Sequence, residues 1–140
     1  MGYQRFTYTH SQLDQYFDRI CLPPSKRIYS VTNLPNHEKL TYLSILKKHI
    51  LCKIPWENLS QHYSWHRVIN VKPLHLFNKI VPHQGRGGYC MEANSLAHYV
   101  LLSLGFDLHL AGARIYNPGT EMYGGWTHCV NLVRLSLIHI

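Results

Sequence analysis

Arg86-Gly87-Gly88-Tyr89-Cys90-Met91-Glu92-Ala93-Asn94 is the stretch on which the fold of this chain turns. Two adjacent glycines adopt backbone angles that other residues resist, and they allow close approach to the main chain. An apolar stripe follows at helical spacing: Ala93, Leu96, Ala97, Val100, Leu101 and Leu104, with Gly105 as a stop. The pattern predicts a helix over residues 90–104 that begins at Cys90. The free amides of a helix start carry partial positive charge, which favours a thiolate. They can also hold an oxyanion as a tetrahedral intermediate forms. Cys90 therefore reads as a nucleophile. The competing reading is a buried structural cysteine, the commoner fate of a free thiol and the one that Cys21, Cys52 and Cys129 fit.

Upstream, the apolar spacing predicts three more helices. Residues 11–22 carry Leu13, Tyr16, Phe17 and Ile20 on one face, with Ser11 as the cap and Pro23-Pro24 as the terminator. Residues 36–51 carry Leu40, Leu43, Leu46 and Ile50, capped by Asn36, with Glu38 suiting the positive start. Residues 73–81 open on a proline, as first turns often do. Downstream of Gly105 the period changes. Residues 108–116 and 126–135 read as strands, separated by turn chemistry at Asn117-Pro118-Gly119 and Gly124-Gly125. Helices followed by the start of a sheet predict an α+β arrangement.

The chain has 140 residues, enough for one domain or a piece of one. Its net charge of +7 attracts anions, a phosphorylated cofactor among them. The basic residues are scattered, however, and no nucleic-acid-binding motif accompanies them, so no nucleic-acid partner is expected. No stretch reaches the ~18 apolar residues of a membrane span, and the first residues lack a signal-peptide core. No membrane partner and a cytoplasmic location are the expectations, with free thiols in a reducing compartment. The four cysteines form no C-x-x-C pair. His62 and His66 have the i, i+4 spacing of helix-borne metal ligands, but no third ligand lies near them in sequence, and no metal is expected.

A thiol nucleophile needs a base, usually histidine. Among eleven histidines His128 stands out, in Trp126-Thr127-His128-Cys129-Val130-Asn131-Leu132 just after Gly124-Gly125. Strand alternation puts Trp126, Val130 and Leu132 on its face, an apolar setting for the ring. Taken alone, a strand histidine is more often a satisfied, partly buried residue than a catalyst.

Four segments together resemble the arylamine N-acetyltransferase family. They are Ile54-Pro55-Trp56-Glu57-Asn58-Leu59-Ser60, where the family carries Phe at the position of Trp56; the Arg86 to Asn94 run; Leu104-Gly105-Phe106 with Ala113-Arg114-Ile115; and Thr127-His128-Cys129-Val130-Asn131-Leu132-Val133. The resemblance implies a fold: a helical domain over residues 1–105 ending in the nucleophile helix, then over residues 106–140 the first strands of an incomplete β-barrel, with a cysteine-protease-like Cys-His arrangement. It also implies an activity in xenobiotic metabolism. Cys90 takes acetyl from acetyl-CoA and passes it to an aromatic amine or hydrazine, with His128 moving protons and no metal involved. Trp56 lines the acceptor pocket, and Gly124, Gly125 and Thr127 approach donor and substrate. Arg86 and Glu57, opposite charges in two matching segments, pair to anchor the nucleophile loop; their alternative is two separate solvated charges.

The family's third catalytic member, an Asp on a later strand, has no counterpart among Glu92, Asp107 and Glu121, and residues 135–140 depart from the family pattern. A fragment, weak or inactive alone, is therefore the expectation. Two other readings stay open: a cysteine hydrolase or transglutaminase-like protein, because Cys-His chemistry recurs on unrelated sequences, and a catalytically silent fragment.

Overall fold

The computed structural model describes residues 5–135. Five helices precede a two-stranded antiparallel sheet: α1 (His10–Arg19), α2 (Asn36–Lys53), α3 (Leu59–Tyr63), α4 (Pro73–Ile80), α5 (Cys90–Ser103), β1 (Asp107–Asn117) and β2 (Met122–Arg134). A short 3-10 turn at Pro24–Lys26 follows α1. The order is the α+β one expected. Residues 1–4 and 136–140, where the departing C-terminal tail was noted, lie outside the described residues.

α1 is capped two residues before the position expected from the sequence. Thr9, not Ser11, caps it: its hydroxyl accepts the Gln12 amide while the Gln12 side chain accepts the Thr9 amide. This reciprocal pair satisfies two amides that a helix start leaves open. The prolines do not end the helix either. Cys21 turns left-handed at φ 53°, and the Leu22 amide reaches back to the Phe17 carbonyl. That closure needs no proline. Nor does Asn36 cap α2; it is the first helical residue, preceded by Pro35.

α5 is the central element. Its residues Cys90, Glu92, Ala93, Ser95, Leu96, Ala97, Val100 and Leu101 are buried, so it is covered on more than one side. It packs against α4 and both strands. Gly105 takes φ +89°, and the Phe106 amide closes back on Leu101. The apolar core joins Tyr16 and Phe17 of α1 and Ile20 at its C-cap to Leu46 of α2, Leu76 and Ile80 of α4, and Leu96, Val100 and Leu104 at α5. Each such side chain contributes roughly 1.5–3 kcal/mol relative to exposure.

Gly124-Gly125 is not a turn. Both residues lie within β2, and the reversal is made by residues 118–121. Two register shifts, between Ala113 and Arg114 and between Arg114 and Tyr116, leave extra residues on the β2 side. The glycines fall at the second shift, where a bulge tolerates residues without side chains. The first shift carries Thr127 and breaks the alternation expected around His128. Trp126 is 76% exposed and Leu132 49%, so neither encloses that ring.

Candidate active site

The loop before Cys90 is shaped by contact with the Ile54–Ser60 region. The Gly88 amide donates to the Pro55 carbonyl, and the Glu57 amide donates to the Gly88 carbonyl, both at 3.3 Å. Glu57 then holds the loop by its side chain. Its Oε1 accepts Arg86 Nε at 3.1 Å and the Gly87 amide at 3.2 Å; its Oε2 accepts the Leu59 amide at 2.6 Å. Arg86 also reaches Ser60 Oγ at 3.0 Å. Burial pushes the Glu57 carboxyl up, but the Leu59 and Gly87 amides, Arg86 and Lys79 outweigh it, and the net direction is down.

Beneath the loop sits a second carboxylate. Glu92 is 1% exposed, and Lys79 Nζ lies 2.6 Å from its Oε1 and 3.8 Å from Glu57 Oε1. Lys79 thus ties the two acids together from α4. The other oxygen of Glu92 has no hydrogen-bond partner among the described residues. It lies against Gly88, where a Cβ would come within 2.7 Å of it.

Arg19 completes the support from α1. It is buried, and it donates to four carbonyls: Ile80 at 3.0 Å, Lys53 at 2.6 Å, and Gln84 and Arg86 at 2.9 Å each. One side chain therefore joins the ends of α2 and α4 to the loop that leads to Cys90. No spacing rule marks Arg19 in the sequence; it reads as an ordinary helix-terminal charge.

Cys90 opens α5 and is only 3% exposed. Its thiol donates to the Thr127 carbonyl at 3.7 Å, one residue before His128. The start of α5 and the strand that carries His128 therefore meet at this residue. Among the described residues no hydrogen bond joins Cys90 Sγ to the His128 ring. That ring instead stacks on Trp56, with centroids 5.9 Å apart and planes 20° from parallel. Trp56 and His128 are thus brought face to face. Gly124, Gly125 and Thr127 are exposed on β2. Arg114 pins this segment by donating to the Gly124 and Tyr123 carbonyls at 2.6 and 3.1 Å.

Polar side chains fasten β2 to α5. Asn94 Nδ2 donates to the Cys129 carbonyl at 2.7 Å, Asn131 Nδ2 donates to the Asn94 carbonyl at 2.8 Å, and His98 Nδ1 lies 2.9 Å from Asn131 Oδ1. The helical spacing of Asn94 and His98 relative to Cys90 could have flagged them; their strand partner could not be read from the sequence. A cavity of about 570 Å³ opens beside this seam, lined by Leu46, Lys47, Ile50 and Ala97 with His128 and Val130. His62 and His66 do not share a helix, because α3 ends at Tyr63. Among the described residues no group of three potential ligands gathers to hold a metal.

The family model described as N-acetyltransferase matches residues 39–136. The chain belongs to the arylamine N-acetyltransferase family. The N-malonyltransferase FDB2 of Fusarium pseudograminearum is 33% identical to it over 144 residues, covering 92% of this chain and 42% of the relative. The arylamine N-acetyltransferase pineal gland isozyme NAT-10 of Gallus gallus is 38% identical over 111 residues, covering 79% and 34%. Among solved structures, the arylamine N-acetyltransferase of Mycobacterium abscessus superposes with a TM-score of 0.70 at 27% identity, over 95% of this chain and 43% of that one. The enzyme of M. tuberculosis gives 0.68 at 29%, over 89% and 42%. This member of the arylamine N-acetyltransferase family thus spans well under half the length of these relatives. No helix among its described residues is long and apolar enough to cross a membrane.

Proposed function

We propose that this chain carries the acyl-accepting part of an arylamine N-acetyltransferase that acts in the cytoplasm. The observation that carries the reading is the meeting of Cys90 with the histidine strand at the start of α5. His128 takes the thiol proton, and the Cys90 sulfur attacks the acetyl carbonyl of acetyl-CoA. The carbon–sulfur bond to CoA breaks, and the departing CoA thiolate takes the proton back from His128. An aromatic amine or hydrazine nitrogen then attacks the Cys90 thioester, and the sulfur leaves to recover a proton. The free amides at the start of α5 face the charge that develops on the carbonyl oxygen.

The remaining roles follow from position. Trp56, stacked on His128, borders the acceptor side. Gly124, Gly125 and Thr127 lie where the donor approaches; a Cβ on Gly125 would meet nothing within 4 Å, which is the room a bulky acyl donor needs. Arg86 and Glu57 hold the nucleophile loop. No acidic side chain bonds His128 among the described residues, so steady turnover calls for a further group to orient the ring. Of the described residues, β1 and β2 are then the opening strands of a barrel that follows the helical domain ending at residue 105.

The likeness to an N-malonyltransferase supports a second reading, in which the donor is malonyl-CoA. Lys47, which lines the cavity shared with His128, is the cation suited to a malonyl carboxylate. Incubation with each acyl-CoA, acid quenching and intact-mass analysis separates the two. Acetyl on Cys90 supports the first reading and malonyl the second. With Cys90 unmodified by either donor, the acyl-carrier assignment falls.

A further inference from the structure

Cys129 follows His128 on β2 and lies against the nucleophile. Its thiol donates to the Cys90 carbonyl at 3.2 Å. The Cys90 thiol in turn donates to Thr127, two residues before Cys129. The two cysteines are therefore clasped across the α5–β2 seam, which Asn94 and Asn131 hold at 2.7 and 2.8 Å. Cys21 and Cys52 are exposed and take no part in this arrangement.

We propose that Cys90 and Cys129 form a reversible disulfide that caps the nucleophile when a hydroperoxide reaches the site. The inference rests on the assignment of Cys90 as the reactive thiol. In the first step the Cys90 thiolate attacks the outer oxygen of the hydroperoxide. A sulfur–oxygen bond forms, the oxygen–oxygen bond breaks, and the peroxide is reduced to an alcohol or water as Cys90 becomes a sulfenic acid. In the second step the Cys129 sulfur attacks the Cys90 sulfur. The disulfide forms, the sulfur–oxygen bond breaks, and water leaves with the Cys129 proton. A small dithiol reverses the link by two exchanges and is itself oxidised.

The surroundings of Cys129 hold it in the thiol form against the Cys90 backbone. Burial first, and then the charge and hydrogen bond of Cys90, push its thiol up to about 11. It therefore stays protonated near neutral pH, next to Cys90. Without Cys129 the sulfenic acid lies open to further, irreversible oxidation.

The test treats the reduced full chain with hydrogen peroxide, blocks free thiols with N-ethylmaleimide, and maps peptides without reduction. The expected product is a peptide pair joined through Cys90 and Cys129, lost on dithiothreitol treatment, with Cys21 and Cys52 carrying maleimide. If Cys90 is oxidised and Cys129 stays unlinked, the proposal is overturned. In Cys129→Ala, Cys90 is expected to advance to sulfinic acid that dithiothreitol does not restore; full restoration in that variant would sink the resolving role. The native link needs no variant, so a folding defect in Cys129→Ala leaves the first arm decisive. Acyl-CoA loading runs in parallel. A Cys90 thioester without the disulfide overturns only this inference, whereas the disulfide without a thioester supports it and sinks the transferase reading.

Discussion

Gly87 passes so close to Pro55 that a Cβ built on it would lie 1.8 Å from the Pro55 carbonyl oxygen. Backbone stands where a side chain would go, so no rotamer change relieves the conflict. Gly87→Ala is expected to force the loop before Cys90 off the Ile54–Ser60 region and to cost about 2 kcal/mol or more, as overpacking does. Gly85, two residues earlier, would meet nothing within 4 Å, and Gly85→Ala should stay within about 0.5 kcal/mol of the parent. Urea midpoints of the two variants check the contrast; equal midpoints would refute it.

Glu57→Gln should destabilise the chain by about 1–3 kcal/mol near neutral pH, since it removes a charged acceptor from Arg86 and from two amides. The folded carboxyl titrates below its ordinary value of 4.5. Its contribution is therefore fully present above that pH and is lost as pH falls through the lower folded value. The gap between parent and variant should close in acid, well below pH 4.5. Unfolding midpoints measured along the pH axis test this, and a gap that widens in acid would contradict the sign.

Arg19→Ala leaves four carbonyls without their shared donor. A loss of about 3 kcal/mol or more is expected, because unmet buried acceptors each cost on the order of 1–3 kcal/mol. Arg19→Lys should recover only part of it, because an ammonium cannot match the guanidinium fork. Thermal unfolding of the three forms gives the ranking; a fully stable lysine variant would show that the fork is dispensable.

Asn94→Ala removes the 2.7 Å bond to the Cys129 carbonyl and should cost about 1 kcal/mol. The larger expected effect is local. Amide hydrogen exchange of residues 128–131 should accelerate while the α1 and α4 core keeps its protection. Uniform acceleration throughout would mean global destabilisation instead of a loosened seam.

The helical half was legible because apolar spacing is a local signal. α4 and α5 came out within a residue or so at each end, and Gly105 supplied the stop that it forms at φ +89°. The termini of α1 misled, because the deciding cap bond, Thr9 with Gln12, lies outside the apolar stripe, and Cys21 takes a left-handed angle usually left to glycine. Gly124-Gly125 misled more seriously. Two glycines between strand-like runs resemble a hairpin turn, yet the bulge that places them in β2 depends on register against β1. The same register undid the apolar enclosure expected of His128. Cys90 and Glu57 were visible as motif residues. Lys79 and Arg19, which support them from other helices, carry no sequence mark, because their importance comes from carbonyls and carboxylates brought together only by folding.

Arg19 also bears on the order of events in folding. Its four acceptors lie 34 to 67 positions along the chain from it, all on the C-terminal side. Contacts of such long range close late, after local helices have formed. During synthesis α1 is made before Gln84 and Arg86, so those two bonds cannot form until the later residues exist. The loop gains its final shape only when that early cation meets its late carbonyls. The setting of Cys90 thus depends on a cation laid down 67 positions before the last carbonyl that it holds.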